Sequence, residues 1–567
     1  MKRFIPLFAC ILLLSGFFFS SCDYIQTEKL YRQGIVVCAD PIAAGIGLET
    51  LENGGNAVDA ACATAFALAA TLPSAGNIGG GGLALVYIAD SQKVFYLDFR
   101  ETAPAASDAK RYLAEDNQVD RHKATVGPLS AGTPGTVAGL AELHKTFGVF
   151  DWAELVKPAR LLADTGFMVL PHLAESIAEH QDDLNSYAST SAIFLPNGAP
   201  PQAGTKFIQK DLGQTLSLIE AGGKDGFYAG ETAEKIAAFC LQNGGLITAE
   251  DLAAYKTVWR EPVSFTFRDL DIYASGLPSS GGIVMGQMLS ILDQFELERY
   301  TAQSPEFIHL FTEAARRAYV DREQYLGDPE FTHNFTKELL DKDYIATRIQ
   351  TIDPNKAGSS EEILPGVPKR KESDQTTHFV IVDRDGNIVS LTYTINLSYG
   401  SKAVVDGCGF LLNNEMDDFA IAPGQPNAFG LVGGEANTIQ PGKRMLSSMT
   451  PTIIMRKGRP YMALGSPGGS KIITSVAQTI IKRRIFDLPL AEAVNSPRVH
   501  HQWQPDILYI EQGTLDINIM QELIARGHNV KERTPFGEVM AVGFSDDGKF
   551  VSGVADHRCP GGTVEGF

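Results

Sequence analysis

The 567-residue sequence is short of the signatures that mark the commonest hydrolases and metalloproteins. It has no Cys-x-x-Cys pair, no His-Glu-x-x-His and no Gly-x-Ser-x-Gly, so zinc-peptidase and α/β-hydrolase chemistry lose their main support. Cysteines number seven; setting aside Cys10 and Cys22 near the N-terminus leaves Cys38, Cys62, Cys240, Cys408 and Cys559, too few and too scattered for a disulfide framework. Basic residues are outnumbered 48 to 67, and a net charge of −19 repels the phosphate backbone that nucleic-acid proteins depend on. No apolar run is long enough to span a bilayer comfortably: the longest, Phe4 to Phe19, has the length of a signal-peptide core. With 44% apolar and 20% charged residues, disordered, collagen-like and coiled-coil chains are also excluded.

What is present begins with that signal. Lys2 and Arg3 precede the apolar run, and Phe19-Ser20-Ser21-Cys22 resembles a lipoprotein box, so residues 1–21 read as a signal and Cys22 as the lipid-bearing residue. An exported protein of the periplasm or cell envelope is expected, touching membrane only through that lipid. The length by itself suggests three or four domains. An Ala-rich helix reads from Asn56 to Ala70, followed by Gly79 to Gly82 and strands Leu83–Ile88 and Val94–Phe99. Residues 150 to 350 read as mainly helical. Residues 354–375 are polar and aperiodic, a linker.

After the linker, Thr376 to Val382 and Ile388 to Ile395 form the strongest hairpin pattern, about the turn Asp383-Arg384-Asp385-Gly386-Asn387. Centring the turn between Asp385 and Gly386 sets Thr377 opposite Thr394, within one or two residues. A second hairpin, Pro451–Met455 with Tyr461–Leu464, runs into Gly465-Ser466-Pro467-Gly468-Gly469-Ser470 and then a helix from Lys471 to Arg484. Strands with helices packed on them make the class α+β, in a layered sandwich.

Four features could carry chemistry. A Thr opening a strand just after a linker is a nucleophile candidate if the chain is cut before it, because a free α-amine with a pKa near 7.7–8 can act as base to its own hydroxyl. Otherwise Thr376 merely starts a strand. Gly465 to Ser470 at a strand–helix junction offers outward amides for an oxyanion; a phosphate loop would need Gly where Ser470 stands. Glu415 and Asp418, three residues apart on a short turn, could hold an ammonium group, or could be a solvated acidic turn. Arg100, ending the first hairpin, could take a carboxylate bidentately or stand exposed. His378, His500 and His501 lack metal-ligand spacing, and Asp383 to Gly386 lacks the remaining ligands of a calcium loop, so no metal and no cofactor are assigned.

These segments occur in one order together with Asp98-Phe99-Arg100-Glu101, Ser130 to Thr136, Pro278 to Gly282, Tyr325 to Pro329, Thr392 to Asn396, Leu411 to Phe419 and Leu446 to Met449. In that combination the chain closely resembles the γ-glutamyltranspeptidases, over nearly all of the sequence after the signal. The resemblance implies an N-terminal nucleophile hydrolase fold, a four-layer αββα sandwich, rather than several domains. It also implies self-cleavage between Gln375 and Thr376 into a large chain, residues 22–375, and a small chain, residues 376–567, that stay associated. Thr376 would attack glutathione or another γ-glutamyl compound, assisted by Thr394 and the Gly468 and Gly469 amides, and water or an amino acid or peptide acceptor would complete the reaction. Arg100, Ser447 and Ser448 would hold the substrate α-carboxylate, and Asn396, Glu415 and Asp418 its α-ammonium. Glu415 stands where some bacterial members have Gln. Phe429, in the lid-like segment Pro423 to Gly434, stands where well-known bacterial members have Tyr, so a hydrogen bond toward Asn396 should be missing. The alternatives are a cephalosporin or glutaryl acylase of the same fold and an uncleaved, non-enzymatic surface lipoprotein.

Overall fold

The computed structural model describes residues 28–364 and 376–567, so the signal, Cys22 and Gln375 lie outside the described residues. Fourteen strands among the described residues make two seven-stranded sheets. In chain order they are β1 (Leu30–Tyr31), β2 (Ile35–Cys38), β3 (Gly81–Ile88), β4 (Lys93–Phe99), β5 (Val258–Arg260), β6 (Val263–Phe267), β7 (Leu270–Ala274), β8 (Thr377–Val382), β9 (Ile388–Thr394), β10 (Thr452–Arg456), β11 (Arg459–Gly465), β12 (Met540–Phe544), β13 (Val551–Ala555) and β14 (Thr563–Gly566). One sheet has the order β14-β2-β8-β9-β3-β4-β5 and the other β1-β13-β12-β11-β10-β7-β6.

Alternation along the strands builds the layers. In β2, Val36 and Cys38 join one core, while Ile35 and Val37 join another; in β8, Phe379 and Ile381 divide from Val380 and Val382 in the same way. The first set packs on helices α1 (Pro41–Glu52), α2 (Ala57–Thr71), α3 (Thr136–Phe147) and α4 (Trp152–Thr165). The second set faces the other sheet, whose far side carries α5 (Gly281–Leu292), α6 (Pro305–Tyr325) and α7 (Lys471–Arg484). The molecule is therefore a four-layer αββα sandwich of class α+β. Because Ala and other small side chains fill it, α2 is buried along its whole length, and Asn56 and Asp59 close its N-terminus as a reciprocal capping box.

The structure refines three sequence expectations. Residues 150–350 are mainly helical, as expected, but β5, β6 and β7 also lie there, and β6 with β7 form an edge of the second sheet. The alternation Val263, Phe265, Phe267 was the available signal, but the surrounding helical periods outweigh five-residue strands. The β8–β9 register is one residue from that expected, with Thr377 opposite Tyr393. The Asp383 carboxylate accepts from the Asp385 and Asn387 amides, which winds a five-residue loop centred on Asp385 itself. The slip carries Thr376, one residue before β8, toward Thr394 rather than Ile395. Finally, the described part of the linker is anchored. Ser360 is buried, its amide donates to Asp506 at 2.8 Å, and its carbonyl accepts from the Trp503 indole at 2.9 Å.

Candidate active site

Two strand ends and one turn meet at the site. Thr376 leads into β8 and Thr394 ends β9, with their hydroxyl oxygens 3.5 Å apart. Thr394 Oγ1 also accepts from the Asn396 amide at 2.7 Å, and Asn396 has a φ of 75°, so the chain turns sharply out of the sheet there. Close approach makes this possible: a side chain on Gly80 would stand 2.0 Å from the Thr394 carbonyl. Sequence reasoning noticed the glycine run only as a link before a strand.

Arg100, at the end of β4, is buried rather than exposed. Its Nη1 lies 2.6 Å from Glu415 and 3.5 Å from Glu101, and its Nη2 lies 2.5 Å from Asp418. Glu415 to Asp418 form a short 3-10 turn that points these carboxylates inward. One guanidinium thus faces three carboxylates, Glu101 and Glu415 buried and Asp418 partly exposed. Burial raises the pKa of each acid, only partly offset by Arg100, and for Glu101 and Glu415 the neighbouring carboxylates add to the shift. Glu101 reaches about 7 and Glu415 lies well above the ordinary carboxylate range. For Arg100 burial works against charge, but Glu415, Glu101 and Asp418 more than compensate.

The opposite wall carries Ser447 and Ser448. The Ser447 hydroxyl oxygen accepts from the Met449 amide at 3.0 Å, and the Ser448 oxygen accepts from Arg322 at 3.3 Å. Each hydroxyl therefore has its acceptor side engaged and a proton left to give, which suits an anion. Arg322, on α6, is buried and also binds Ser280 at 2.9 Å and Glu323 at 2.9 Å. It lines the same cavity and was missed from sequence, where it sits unremarked within a helix. Glu101 and Asp417 were missed as well; Asp417 is buried, bonded to Arg121 at 3.0 Å and to the Ala428 amide at 2.7 Å.

A small cavity of about 20 Å³ joins Thr376, Thr394, Arg100 and Asn396 with Glu415, Asp418, Ser447, Ser448 and Gly469. Of the expected site residues that are described, Gly468 alone does not line it. Gly468 and Gly469 have φ values of 129° and 54°, a path that glycine follows without strain, and among the described residues neither amide has a bonded acceptor. They precede α7, so both the helix start and the amides present positive potential. Phe429 covers Gly469, and the segment around it is closed without a tyrosine hydroxyl: Asn427 donates to Asp418 at 3.1 Å, and Ala428 donates to Asp417. Asn396 gives its side-chain amide to the Asn414 carbonyl instead.

The three histidines serve packing. His378 pairs with Thr392, His500 with Thr474 and Gln502, and His501 with Asp506 and the Trp503 amide; burial drives His378 down to about 3 and His501 to about 4. A group outside the site, His309, Glu313 and His528, has potential ligand atoms within 4.8 Å of one another. The two rings are hydrogen-bonded to each other at 2.8 Å and Glu313 is paired with Arg316 and Arg317, so these atoms are already engaged.

The family model described as "Gamma-glutamyltranspeptidase" matches residues 43–566. The chain belongs to the γ-glutamyltranspeptidase family. A glutathione hydrolase proenzyme of Pseudomonas sp. (strain A14) is 44% identical over 90% of this chain and 89% of its own length. One from Escherichia coli (strain K12) is 42% identical over 94% of this chain and 92% of its own. In fold the chain is similar to the cephalosporin acylase from Bacillus halodurans, with a TM-score of 0.85 and 26% identity over 96% of this chain and 97% of that one.

Proposed function

We propose that this member of the γ-glutamyltranspeptidase family is a self-processing glutathione hydrolase and γ-glutamyl transferase whose nucleophile is Thr376. The observation that carries the reading is the meeting of Thr376 with a two-sign clamp, Arg100 and the serines facing Glu415 and Asp418, inside one cavity. In the precursor, the Thr376 hydroxyl attacks the Gln375 carbonyl, exchanging amide for ester, and water hydrolyses that ester to free the α-amine. The amine then serves as base to the hydroxyl, with Thr394 holding the oxygen in place. The Thr376 oxygen bonds to the γ-carbonyl carbon of the donor, the Gly468 and Gly469 amides take the oxyanion, and the carbon–nitrogen bond breaks as the leaving amine gains a proton. Water or an acceptor amine then releases the glutamyl group.

The clamp sets the donor class. A substrate α-amino acid brings both charges and inserts between Arg100 and the carboxylates, replacing one internal ion-pair set with two. An acyl group lacking either charge leaves buried partners unmatched. The likeness to a cephalosporin acylase favours a second reading, but an acylase donor without the ammonium gives Glu415 and Asp418 nothing to hold. A denaturing gel with intact masses tests the mechanism: two chains are expected, the smaller beginning at Thr376, and one chain for Thr376→Ala. A wild-type protein that stays a single chain overturns it. Release from a γ-glutamyl anilide with little from a glutaryl anilide separates the two enzyme readings. Export and lipid attachment at Cys22 remain part of this proposal; Cys22→Ser is expected to move the protein from the membrane fraction to the soluble extract.

A further inference from the structure

Both serines of the cavity wall are held from behind by one side chain of α6. Arg322 is 3% exposed and its guanidinium reaches in three directions. Nε donates to the Ser280 hydroxyl at 2.9 Å, Nη1 to the Glu323 carboxylate at 2.9 Å and Nη2 to the Ser448 hydroxyl at 3.3 Å. Ser280, itself fully buried, gives its amide and its hydroxyl proton to the Ser447 carbonyl, at 2.9 and 2.8 Å. One guanidinium therefore holds Ser448 directly and Ser447 through a single intermediate, and it lines the same cavity as Thr376.

The two arginines of that cavity are not equivalent. Arg100 is drawn toward the ammonium side, with Glu415 on one terminal nitrogen and Asp418 on the other. Arg322 has a single acid in contact, Glu323. Burial holds the Glu323 carboxyl up to about 7, only partly offset by Arg322, so near neutral pH this acid cancels the guanidinium charge in part. A guanidinium also carries five N–H donors, and among the described residues three of them have the acceptors named above. The cation with uncancelled charge and uncommitted donors is the one beside the serines.

We infer, on the γ-glutamyl reading above, that Arg322 is the positioning residue that selects the donor's α-carboxylate. It acts through Ser448. By donating to the Ser448 oxygen it occupies that side of the hydroxyl, so the proton points away from the guanidinium and is available to an anion in the cavity. A hydrogen bond given by a charged donor also polarises the hydroxyl it reaches, which strengthens the next bond in the chain. The Ser280 link sets the height of Ser447 in the same way, so that an incoming carboxylate meets two oriented hydroxyls backed by one positive charge.

The test separates the two charges of the donor in the self-cleaved enzyme at pH 8, where Glu323 is mostly ionised. With γ-glutamyl p-nitroanilide as donor, two competitors are titrated: glutaramate, which has the carboxylate without the ammonium, and 4-aminobutyramide, which has the ammonium without the carboxylate. In Arg322→Gln the donor KM and the glutaramate Ki are expected to rise about tenfold, with kcat within about twofold of the wild type. The 4-aminobutyramide Ki is expected to stay level or fall, and Arg322→Lys to recover part of the loss. Glu323→Gln removes the competing acid and is expected to lower the glutaramate Ki about threefold. Both Ki values rising alike in Arg322→Gln, or a fall in kcat at unchanged KM, overturns the assignment. Should Arg322→Gln fail to fold or to self-cleave, Glu323→Gln decides, and an unchanged or higher glutaramate Ki there overturns it. A wild type that never self-cleaves, or releases nothing from the γ-glutamyl anilide, overturns instead the reading beneath.

Discussion

At the scale of single residues, the donor pocket is a problem of charge counting. Arg100 supplies one positive charge against Glu101 and Glu415, both buried, and Asp418, 12% exposed, so the pocket retains protons that water would have removed. An incoming ammonium supplies the missing charge and favours the ionised acids. The sign follows: raising the pH through about 7, where Glu101 titrates, ionises that acid and should tighten donor binding. Donor KM is expected to fall between pH 6 and pH 8. Glu415→Gln, which keeps the shape but removes a charge, should raise KM about tenfold at pH 8, the low end of the scale of one charge-assisted hydrogen bond, and flatten that pH dependence. A variant whose KM follows the wild-type pH curve would show that these acids do not titrate as a unit. Arg100, Glu415, Asp418 and the two serines were legible in sequence because they stand in contiguous motifs. Arg322 was not, since its part in the pocket comes from α6 crossing behind Ser448, a contact between residues 126 positions apart.

At the scale of elements, hairpins and the glycine turn were readable because their signals are local. The helix after the turn begins and ends where its sequence pattern does, at Lys471 and Arg484. The β8–β9 register was read one residue off because the Asp383 side chain, rather than the Asp385-Gly386 pair, organises the loop. The segment around Phe429 shows a similar substitution of one local device for another. Asn427 accepts from the Phe429 and Leu431 amides at 2.9 and 3.0 Å while donating to Asp418, so one side chain both shapes the loop and ties it to the pocket. Asn427→Ala leaves two buried amides unpaired and breaks the tie, at a cost of roughly 1–3 kcal/mol per unsatisfied group. Donor KM should rise about tenfold and a protease should nick the variant between residues 423 and 434, with substrate analogue protecting it. Unchanged KM and an uncut loop would show that Phe429 packing alone holds this segment in place.

At the scale of the molecule, the proposed cut falls inside a shared sheet. In the order β14-β2-β8-β9-β3-β4-β5, strands β14, β8 and β9 belong to residues after Thr376, while β2, β3, β4 and β5 belong to residues before Gln375. β2 is enclosed between β14 and β8, and β9 pairs with β3 over seven residues. The other sheet is also shared, though as blocks: β10 to β13 of the second part form its centre, with β1 at one edge and β7 and β6 at the other contributed by the first part. Neither part contains a whole sheet, and the apolar faces of the two share the same cores. This is why a domain count from length fails: the chain is long because one core needs both halves. Cleavage should therefore free a terminus without freeing a chain. The two chains are expected to co-migrate under native conditions, to unfold together in one thermal or urea transition, and not to regain activity when refolded separately and then mixed. Intact precursor of Thr376→Ala should unfold within a few degrees of the cleaved wild type, because the cut removes no strand pairing. Two separate transitions after cleavage, or a small chain that folds by itself, would show that the strands do not depend on one another as their order requires.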